Sequence, residues 1–358
     1  MIFCRVFVFT ICLAFSDALF DPFSLAAIGG AVGAGWFKYD YLKENTYCRF
    51  RECCIAPYLK HDVSELQRLL SANLYGQHIV QTVLFNAIGA HLKNIQSSRK
   101  PLVMSFHGTS GTGKNFVSDF VAQALYQKGI ESNYVHKFTA DIIIFDELVM
   151  NQVCNILRQF RYVFFFNLIT TFQFSLAAGI KKAIKDCPYS LFIFDEIEKL
   201  KPGVFDAIVN LLDHHSSLKG YDFSKAIFIF LSNSAGTEIA VKLKSITDSG
   251  RFRDETTLVD FERIAELGAY NVVGGLQDSK LIESHVIDHF VPFLPLEQRH
   301  VEQCIKKEFN KICHRSTSDK IISDIMKAAV TFDETHVYSN NGCKRLSKKV
   351  EAYCYMNT

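Results

Sequence analysis

The stretch "PLVMSFHGTSGTGKNFVSDFVAQALY", Pro101 to Tyr126, decides the fold. Leu102 to Phe106 is an apolar run of strand length, while Phe116, Phe120, Val121 and Leu125 recur at helical spacing. Between them lies Gly108-Thr109-Ser110-Gly111-Thr112-Gly113-Lys114-Asn115, so the order is strand, glycine-rich loop, helix. A phosphate-binding loop requires that order. Gly108, Gly111 and Gly113 permit backbone angles that turn successive N–H groups inward, the helix start adds partial positive charge, and Lys114 neutralises the β- and γ-phosphates of a nucleotide. The candidate nucleotide-binding set is the run from Gly108 to Asn115 together with Phe116. One position departs from the usual pattern. Ser or Thr normally follows the lysine and binds magnesium through its hydroxyl, whereas Asn115 offers an amide oxygen, also a hard donor. Magnesium binding is expected, with altered affinity or hydrolysis rate.

An apolar run ending in Asp-Glu occurs twice downstream, as "IIIFDE" at 142–147 and "LFIFDE" at 191–196. The second sits in "CPYSLFIFDEIEKLKPGVFDAIVNLLD", a five-residue strand followed by a predicted helix with apolar residues at Val204, Phe205, Ile208, Val209 and Leu212. Next comes "KAIFIFLSNSAG", another buried strand with Asn233 at its polar tip. In a parallel sheet these strand ends emerge on one edge, beside the phosphate loop. Asp195 then holds magnesium through water, Glu196 polarises the attacking water, and Asn233 positions that water or the γ-phosphate. The first copy, Asp146-Glu147, lacks a following strand of this kind and reads as a strand end or loop. An aromatic-rich run from Phe160 to Phe174 follows it, open to reading as buried strand or helix, as a membrane or partner contact, or as sequence foreign to the fold.

The remaining features bound the protein's setting. A chain of 358 residues suggests about two domains, and a formal charge of +2 with 21% charged residues gives no basic stripe for nucleic acid. The start, "MIFCRVFVFTICLAFSDA", has the layout of a secretory signal with cleavage expected after Ala18. The stretch Phe23 to Phe37 is short for a membrane-spanning helix, leaving two readings: an interfacial one-leaflet attachment, or a continuation of the signal. Removing Cys4 and Cys12 from the eleven cysteines leaves an odd set, so some are free or paired between chains. The cluster "YCRFRECC" is a candidate disulfide knot whose connectivity spacing does not determine, and no arrangement supports zinc.

Together these residues resemble the AAA+ ATPases, and among them the Clp and torsin branch. "AIKDCPYSLFIFDEIEKLKPGVFDAIVNLLD" is similar to a Clp-type Walker B region, and "LYGQHIVQTVLFNAI" (Leu74 to Ile88) to the segment that contacts adenine. "GTGKNFVS", "FIFLSN", "LIESHVIDHFVPFLPLE" and "NGCK" resemble torsins specifically, over roughly 40–136 and 175–354. The resemblance implies an α/β fold: an AAA+ P-loop NTPase domain with a parallel sheet flanked by helices, plus a small C-terminal helical lid. The implied layout is a signal peptide at 1–18, a hydrophobic membrane-associating segment at 19–40, a cysteine-containing linker at 41–59, the ATPase domain at 60–295 and the lid at 296–358. An atypical insertion at about 142–174 departs from the family. One reading is translated intron, which transcript sequencing decides.

The resemblance further implies roles. Lys344 occupies the sensor 2 position and reaches the γ-phosphate, so with Glu196 and Asn233 it completes the catalytic set; Asn115 and Asp195 form the magnesium set. Cys304 and Cys343 are an implied redox pair, with reduced buried thiols as the alternative. Val286 stands where Clp-type ATPases carry an arginine finger, so the chain alone is expected to be a poor ATPase. Arg251 and Arg253 are candidate internal substitutes, read more simply as exposed loop charges. Torsins resolve the gap with a membrane-anchored activator of AAA+-like fold that supplies the arginine. The expected protein is an ATP- and Mg2+-using, homo- or hetero-oligomeric remodeller, chaperone-like, in the endoplasmic reticulum lumen and nuclear envelope, with peripheral membrane contact and no nucleic acid. A nucleotide-dependent scaffold and a Clp-like polypeptide translocase are the alternatives, and the pore loop of the latter is not seen in the sequence.

Overall fold

The computed structural model describes residue 48 and residues 51–140, 168–213, 217–218, 220–334 and 336–356. The expected signal, the membrane-associating segment, Asp146-Glu147 and most of the expected insertion lie outside them. The chain divides into a short unit ending at Tyr58 and a larger unit from Leu59 to Thr358. In the short unit Cys48 and Cys53 form a disulfide, and the Tyr58 hydroxyl donates to the Cys48 carbonyl.

Among the described residues of the larger unit are seven strands: β1 Leu102–His107, β2 Val135–Thr139, β3 Leu191–Asp195, β4 Ser217–Leu218, β5 Tyr221–Asp222, β6 Ile227–Ser232 and β7 His289–Pro292. β4 and β5 form a small antiparallel hairpin. The other five make one parallel sheet in the order β2-β3-β6-β1-β7. Every residue of β1, β3 and β6 is buried, which is why these strands read as unbroken apolar runs rather than alternating ones. Phenylalanines tie them together across the sheet. Phe192 stacks on Phe228 at 4.6 Å, and Phe194 stacks on both Phe138 and Phe230 at 5.0 Å.

Helices connect and cover these strands: α1 Val63–Asn73, α2 His78–Lys93, α3 Lys114–Leu125, α4 Leu168–Asp186, α5 Val209–Leu212, α6 Gly236–Asp248, α7 Glu262–Asn271 and α8 Lys280–Glu283. The residues from Leu168 to Phe174, at the end of the expected insertion, belong to α4. The long helix expected after "LFIFDE" is broken: a 3₁₀ turn, Asp206–Ile208, precedes the four-residue α5. Tertiary packing overrides the helical spacing there. Gly203 takes a left-handed φ of +81°, and Phe205 is driven edge-on between Phe194 and Phe230 at 5.4 and 5.2 Å.

Three further helices, α9 Gln298–Cys313, α10 Asp319–Ala329 and α11 Leu346–Met356, enclose a second apolar cluster that includes Val301, Ile305, Phe309, Ile325 and Val350. They form the expected lid. A buried polar hub joins it to the sheet domain. Arg253, 3% exposed, donates to the Pro295 and Gly76 carbonyls at 2.9 and 2.6 Å and pairs with Glu297 at 3.2 Å. His300 Nδ1 accepts from the Glu297 N–H at 3.1 Å, and its ring covers Gly76 so closely that a Cβ there would sit 2.9 Å from it.

Burial, and then the Arg253 charge, lower the His300 pKa to about 4. Burial, with the Lys114 charge behind it, lowers that of His107, at the end of β1, to about 3. Both folded-state values lie below that of free histidine, so between about pH 4 and 6.5 the unfolded chain binds more protons. This contribution to stability is whole above pH 6.5 and is lost as pH falls through that window. Denaturant unfolding at pH 7, 6 and 5 should show a declining free energy, each ring adding at most about 1.4 kcal/mol per unit. His300→Gln should flatten the slope, and an unchanged slope in that variant would exclude His300 from it.

Candidate active site

Parallel pairing brings the C-terminal ends of β1, β3 and β6 to one edge, where the loop after β1 enters α3. A cavity of about 350 Å³ opens there. From the sheet domain it is lined by Leu74 and Tyr75, by the loop and helix start from Ser110 through Gly111, Thr112, Gly113, Lys114 and Asn115 to Phe116, and by Asp195, Glu196, Ser232 and Asn233. From the lid come Cys304, Lys307, Glu308, Cys343, Lys344 and Ser347. All but two of the residues expected from sequence thus meet in one place. Gly108 and Thr109 are outside the lining and act through their carbonyls.

Those carbonyls hold the lysine. Lys114 Nζ donates to Gly108 O at 2.6 Å, to Thr109 O at 2.9 Å and to Asn233 Oδ1 at 2.9 Å. Burial lowers its pKa to about 8; Glu198 and Asp195 oppose the shift, while Lys344 adds to it. Asn115 Nδ2 donates to Asp195 Oδ2 at 2.6 Å, leaving Asn115 Oδ1 as the hard oxygen that replaces the usual hydroxyl. The donor set fits magnesium and a polyphosphate: a carboxylate, an amide oxygen, an ammonium and the start of a twelve-residue helix, with Thr109 Oγ1 buried and unpartnered behind them.

The two carboxylates after Asp195 have different partners. Glu196 sits in a left-handed conformation, φ +57°, uncommon outside glycine and concentrated at functional sites. Its carboxylate is 2.5 Å from Lys199 Nζ. Glu198, not Glu196, contacts the Asn233 amide: Asn233 Nδ2 donates to Glu198 Oε1 at 2.5 Å and Ser232 Oγ to Oε2 at 3.2 Å. Sequence reasoning missed Glu198. The left-handed turn and the 3₁₀ segment after it, Ile197–Lys199, carry the second glutamate toward the tip of β6, and nothing in the spacing announces that turn.

The lid closes on the phosphate loop through backbone. Cys343 N donates to Gly111 O at 3.2 Å. A Cβ at Gly111 would overlap the Asn341 carbonyl, and one at Gly342 would overlap the Gly111 carbonyl. Both glycines have positive φ, +84° and +50°. Cys304 and Cys343 are disulfide-bonded with Cα atoms 6.3 Å apart, fastening α9 to the same turn; Cys313 and Cys354 are joined as well. Lys307 Nζ donates to Ala72 O at 3.1 Å and to Asn73 Oδ1, bridging α9 to the end of α1.

Neither candidate internal arginine reaches the site. Arg253 is buried in the hub with Glu297, which corrects the expectation of an exposed charge, and Arg251 is paired with Asp260 at 2.7 Å. Among the described residues, the cavity lining holds lysines but no arginine. Val286 is 2% exposed in the apolar core. Gly342→Ala should weaken nucleotide binding by about tenfold or more, through a displaced lid turn and left-handed strain. Titration calorimetry with ADP checks this, and wild-type affinity would exclude the close approach as a constraint on binding.

Comparison with known proteins agrees with this geometry. A family described as Torsin matches residues 48–161, and one described as AAA domain (Cdc48 subfamily) matches residues 173–267. A torsin-like protein of Drosophila melanogaster is 41% identical over 340 residues, covering 94% of this chain and 93% of that one. A torsin-like protein of Caenorhabditis elegans is 35% identical over 327 residues, covering 90% and 84%. The solved S. cerevisiae Hsp104-ADP complex shares the fold, with a TM-score of 0.54 at 17% identity over 81% of this chain; the match spans 46% of that longer chain. The chain belongs to the torsin family of AAA+ ATPases.

Proposed function

We propose that the protein binds Mg-ATP in this cavity and hydrolyses it when a membrane-anchored, AAA+-like activator supplies the arginine it lacks. The carrying observation is the cavity lining: a phosphate loop, Asp195, Glu196 and Asn233 in place, cationic groups limited to lysines, and buried Val286 at the position of the arginine finger. Lys114 exchanges its loop carbonyls for phosphate oxygens. Asn115 and Asp195 would hold magnesium, which would neutralise charge on the phosphates. Glu196 releases Lys199 and polarises the attacking water, while Asn233 orients it. Lys344 brings a lid charge to the terminal phosphate. None of these supplies a guanidinium, a group associated with roughly 10³ to 10⁵ in rate.

In this reading the expected signal and short apolar segment place the protein in the endoplasmic reticulum lumen and nuclear envelope, peripherally attached, acting in homo- or hetero-oligomers to remodel proteins or membranes. Among the described residues no helix is long and apolar enough to cross a membrane. The Cys304–Cys343 bond couples redox state to the site, because Cys343 also touches Gly111. A nucleotide-dependent scaffold with negligible turnover is the second reading, favoured by Asn115 and Val286.

Phosphate release measured on the full chain, alone and with an activator's lumenal domain, separates these readings. We expect slow release alone and a rise of about 10³ or more with the activator. Brisk unassisted turnover would sink the activator requirement, and none under either condition would favour the scaffold. Glu196→Gln should keep ATP affinity and stabilise the activator complex while abolishing hydrolysis; continued hydrolysis would remove Glu196 from its role. Cys304→Ser, which leaves the Cys313–Cys354 bond intact, should reproduce the effect of reductant on ADP affinity. A reductant effect that persists in that variant would place the redox response elsewhere.

A further inference from the structure

Two neighbouring strands of the core carry polar side chains where apolar ones would pack. On β1, Ser105 and His107 are fully buried; at the tip of β6, Ser232 is 2% exposed and Ser234 9%. His107 lies opposite Ser232 in the sheet register. Their side chains form one continuous line. Ser105 Oγ is 2.7 Å from His107 Nε2, and His107 Nδ1 is 3.0 Å from Ser234 Oγ. Ser234 Oγ is 2.9 Å from Ser232 Oγ, which is 3.2 Å from Glu198 Oε2. Glu198 Oε1 accepts from Asn233 Nδ2, and Asn233 Oδ1 accepts from Lys114. The line therefore runs from the middle of the sheet to the phosphate-loop lysine.

Proton counting fixes its direction. A carboxylate only accepts and an ammonium only donates. Ser232 must give its single hydroxyl proton to Glu198, so its oxygen is an acceptor toward Ser234. Ser234 then spends its own proton on Ser232 and accepts from His107. The proton of His107 consequently sits on Nδ1, and Nε2 accepts from Ser105. Ser232 Oγ also accepts the Ser234 N–H at 3.1 Å, which leaves the assignment consistent. Neutral His107 satisfies this pattern, and the apolar surroundings with Phe290 5.9 Å away disfavour a charged ring.

We propose that His107, Ser234 and Ser232 are positioning residues: a one-way hydrogen-bonded line that orients the Glu198 carboxylate and, through it, the Asn233 amide for turnover. An amide has two ends of opposite character. With Glu198 fixed, Asn233 must direct its NH₂ to the carboxylate and its oxygen to Lys114. If Ser232 is lost, Glu198 loses one of its two holds and the amide is free to turn over; if Ser234 is lost, that hold stays and the Ser232 hydroxyl loses one of the groups that turn it toward Glu198. Nucleotide binding depends chiefly on the phosphate loop and is little affected. The functional half of this proposal rests on the ATPase reading above, whereas the direction of the line does not.

The test uses the full chain with ¹⁵N-labelled histidine, His107 being assigned by loss of its signals in His107→Gln. The wild type should show neutral His107 protonated on Nδ1 and invariant from pH 6 to 8. In Ser232→Ala the population should shift toward the Nε2–H form. Activator-stimulated kcat should fall about tenfold, the scale of one net hydrogen bond to a charged group, and by more than ATP affinity falls. Ser234→Ala should lower kcat less, and the double variant should be no worse than Ser232→Ala, since both act through the one hydroxyl that reaches Glu198. A wild-type Nε2–H or imidazolium signal would overturn the line itself. Wild-type kcat in both serine variants, strictly additive losses, or a loss confined to affinity would overturn its positioning role. A chain inactive under every condition would count against the ATPase reading, with the tautomer still deciding the direction of the line.

Discussion

A buried ammonium group must be solvated by the protein, and in this fold that demand organises the site. Lys114 is 8% exposed, and its nitrogen is met by two carbonyls of its own loop and by the side chain at the tip of β6. Ordinary lysine packing would leave the charge in water. Here the loop after β1 is drawn against the end of β6, and that contact forms only if the two strands are parallel neighbours. The sheet order and the site geometry are thus two descriptions of one constraint. Burial lowers the pKa of Lys114 to about 8, outweighing the favourable charges of Glu198 and Asp195.

The lid adds a second constraint made of backbone rather than charge. Gly111 and Gly342 approach so closely that neither tolerates a side chain, and the Cys343 N–H is spent on the Gly111 carbonyl. A phosphate loop whose own carbonyl serves the lid cannot shift without the lid sensing it. The Cys304–Cys343 bond ties the same turn to α9, and Lys307 ties α9 to the end of α1. Nucleotide, lid and disulfide share one small patch of main chain, which is the physical basis for reading them as linked.

Much of this was legible in sequence, for a specific reason. Parallel strands buried on both faces must be apolar throughout, so "LVMSFH", "LFIFD" and "IFIFLS" declare themselves, and the polar residues at their ends are conspicuous against that background. Glycine spacing and Lys114 announce the loop. What stayed hidden depended on long-range packing or on backbone sign. The break before α5 follows from Phe205 wedging between two strands, and the position of Glu198 follows from a left-handed Glu196. Arg253 looked like a loop charge because its partners, Gly76, Pro295 and Glu297, are remote in sequence or lie across the domain junction. His107 and Ser234 come within hydrogen-bond distance only through the pairing of β1 with β6, which spacing along the chain does not show.

The charges in the cavity explain why a complete binding site need not be a complete catalyst. Lys114 is held by the loop, Lys307 is tied to Ala72 and Asn73, and Lys344 approaches from the lid turn. Each is a point charge on a flexible stem. Charge developing on a transferring phosphoryl group is spread over several oxygens and is matched better by the planar fork of a guanidinium. The two arginines weighed as internal substitutes are consumed structurally, Arg253 in the hub and Arg251 by Asp260, so moving either inward would dismantle a contact that the fold uses. Val286, packed in the core, offers no route for a cation from its own position. Binding machinery intrinsic to the chain and a catalytic charge from outside it are therefore compatible with one fold, which is the premise of the activator-dependent turnover proposed above.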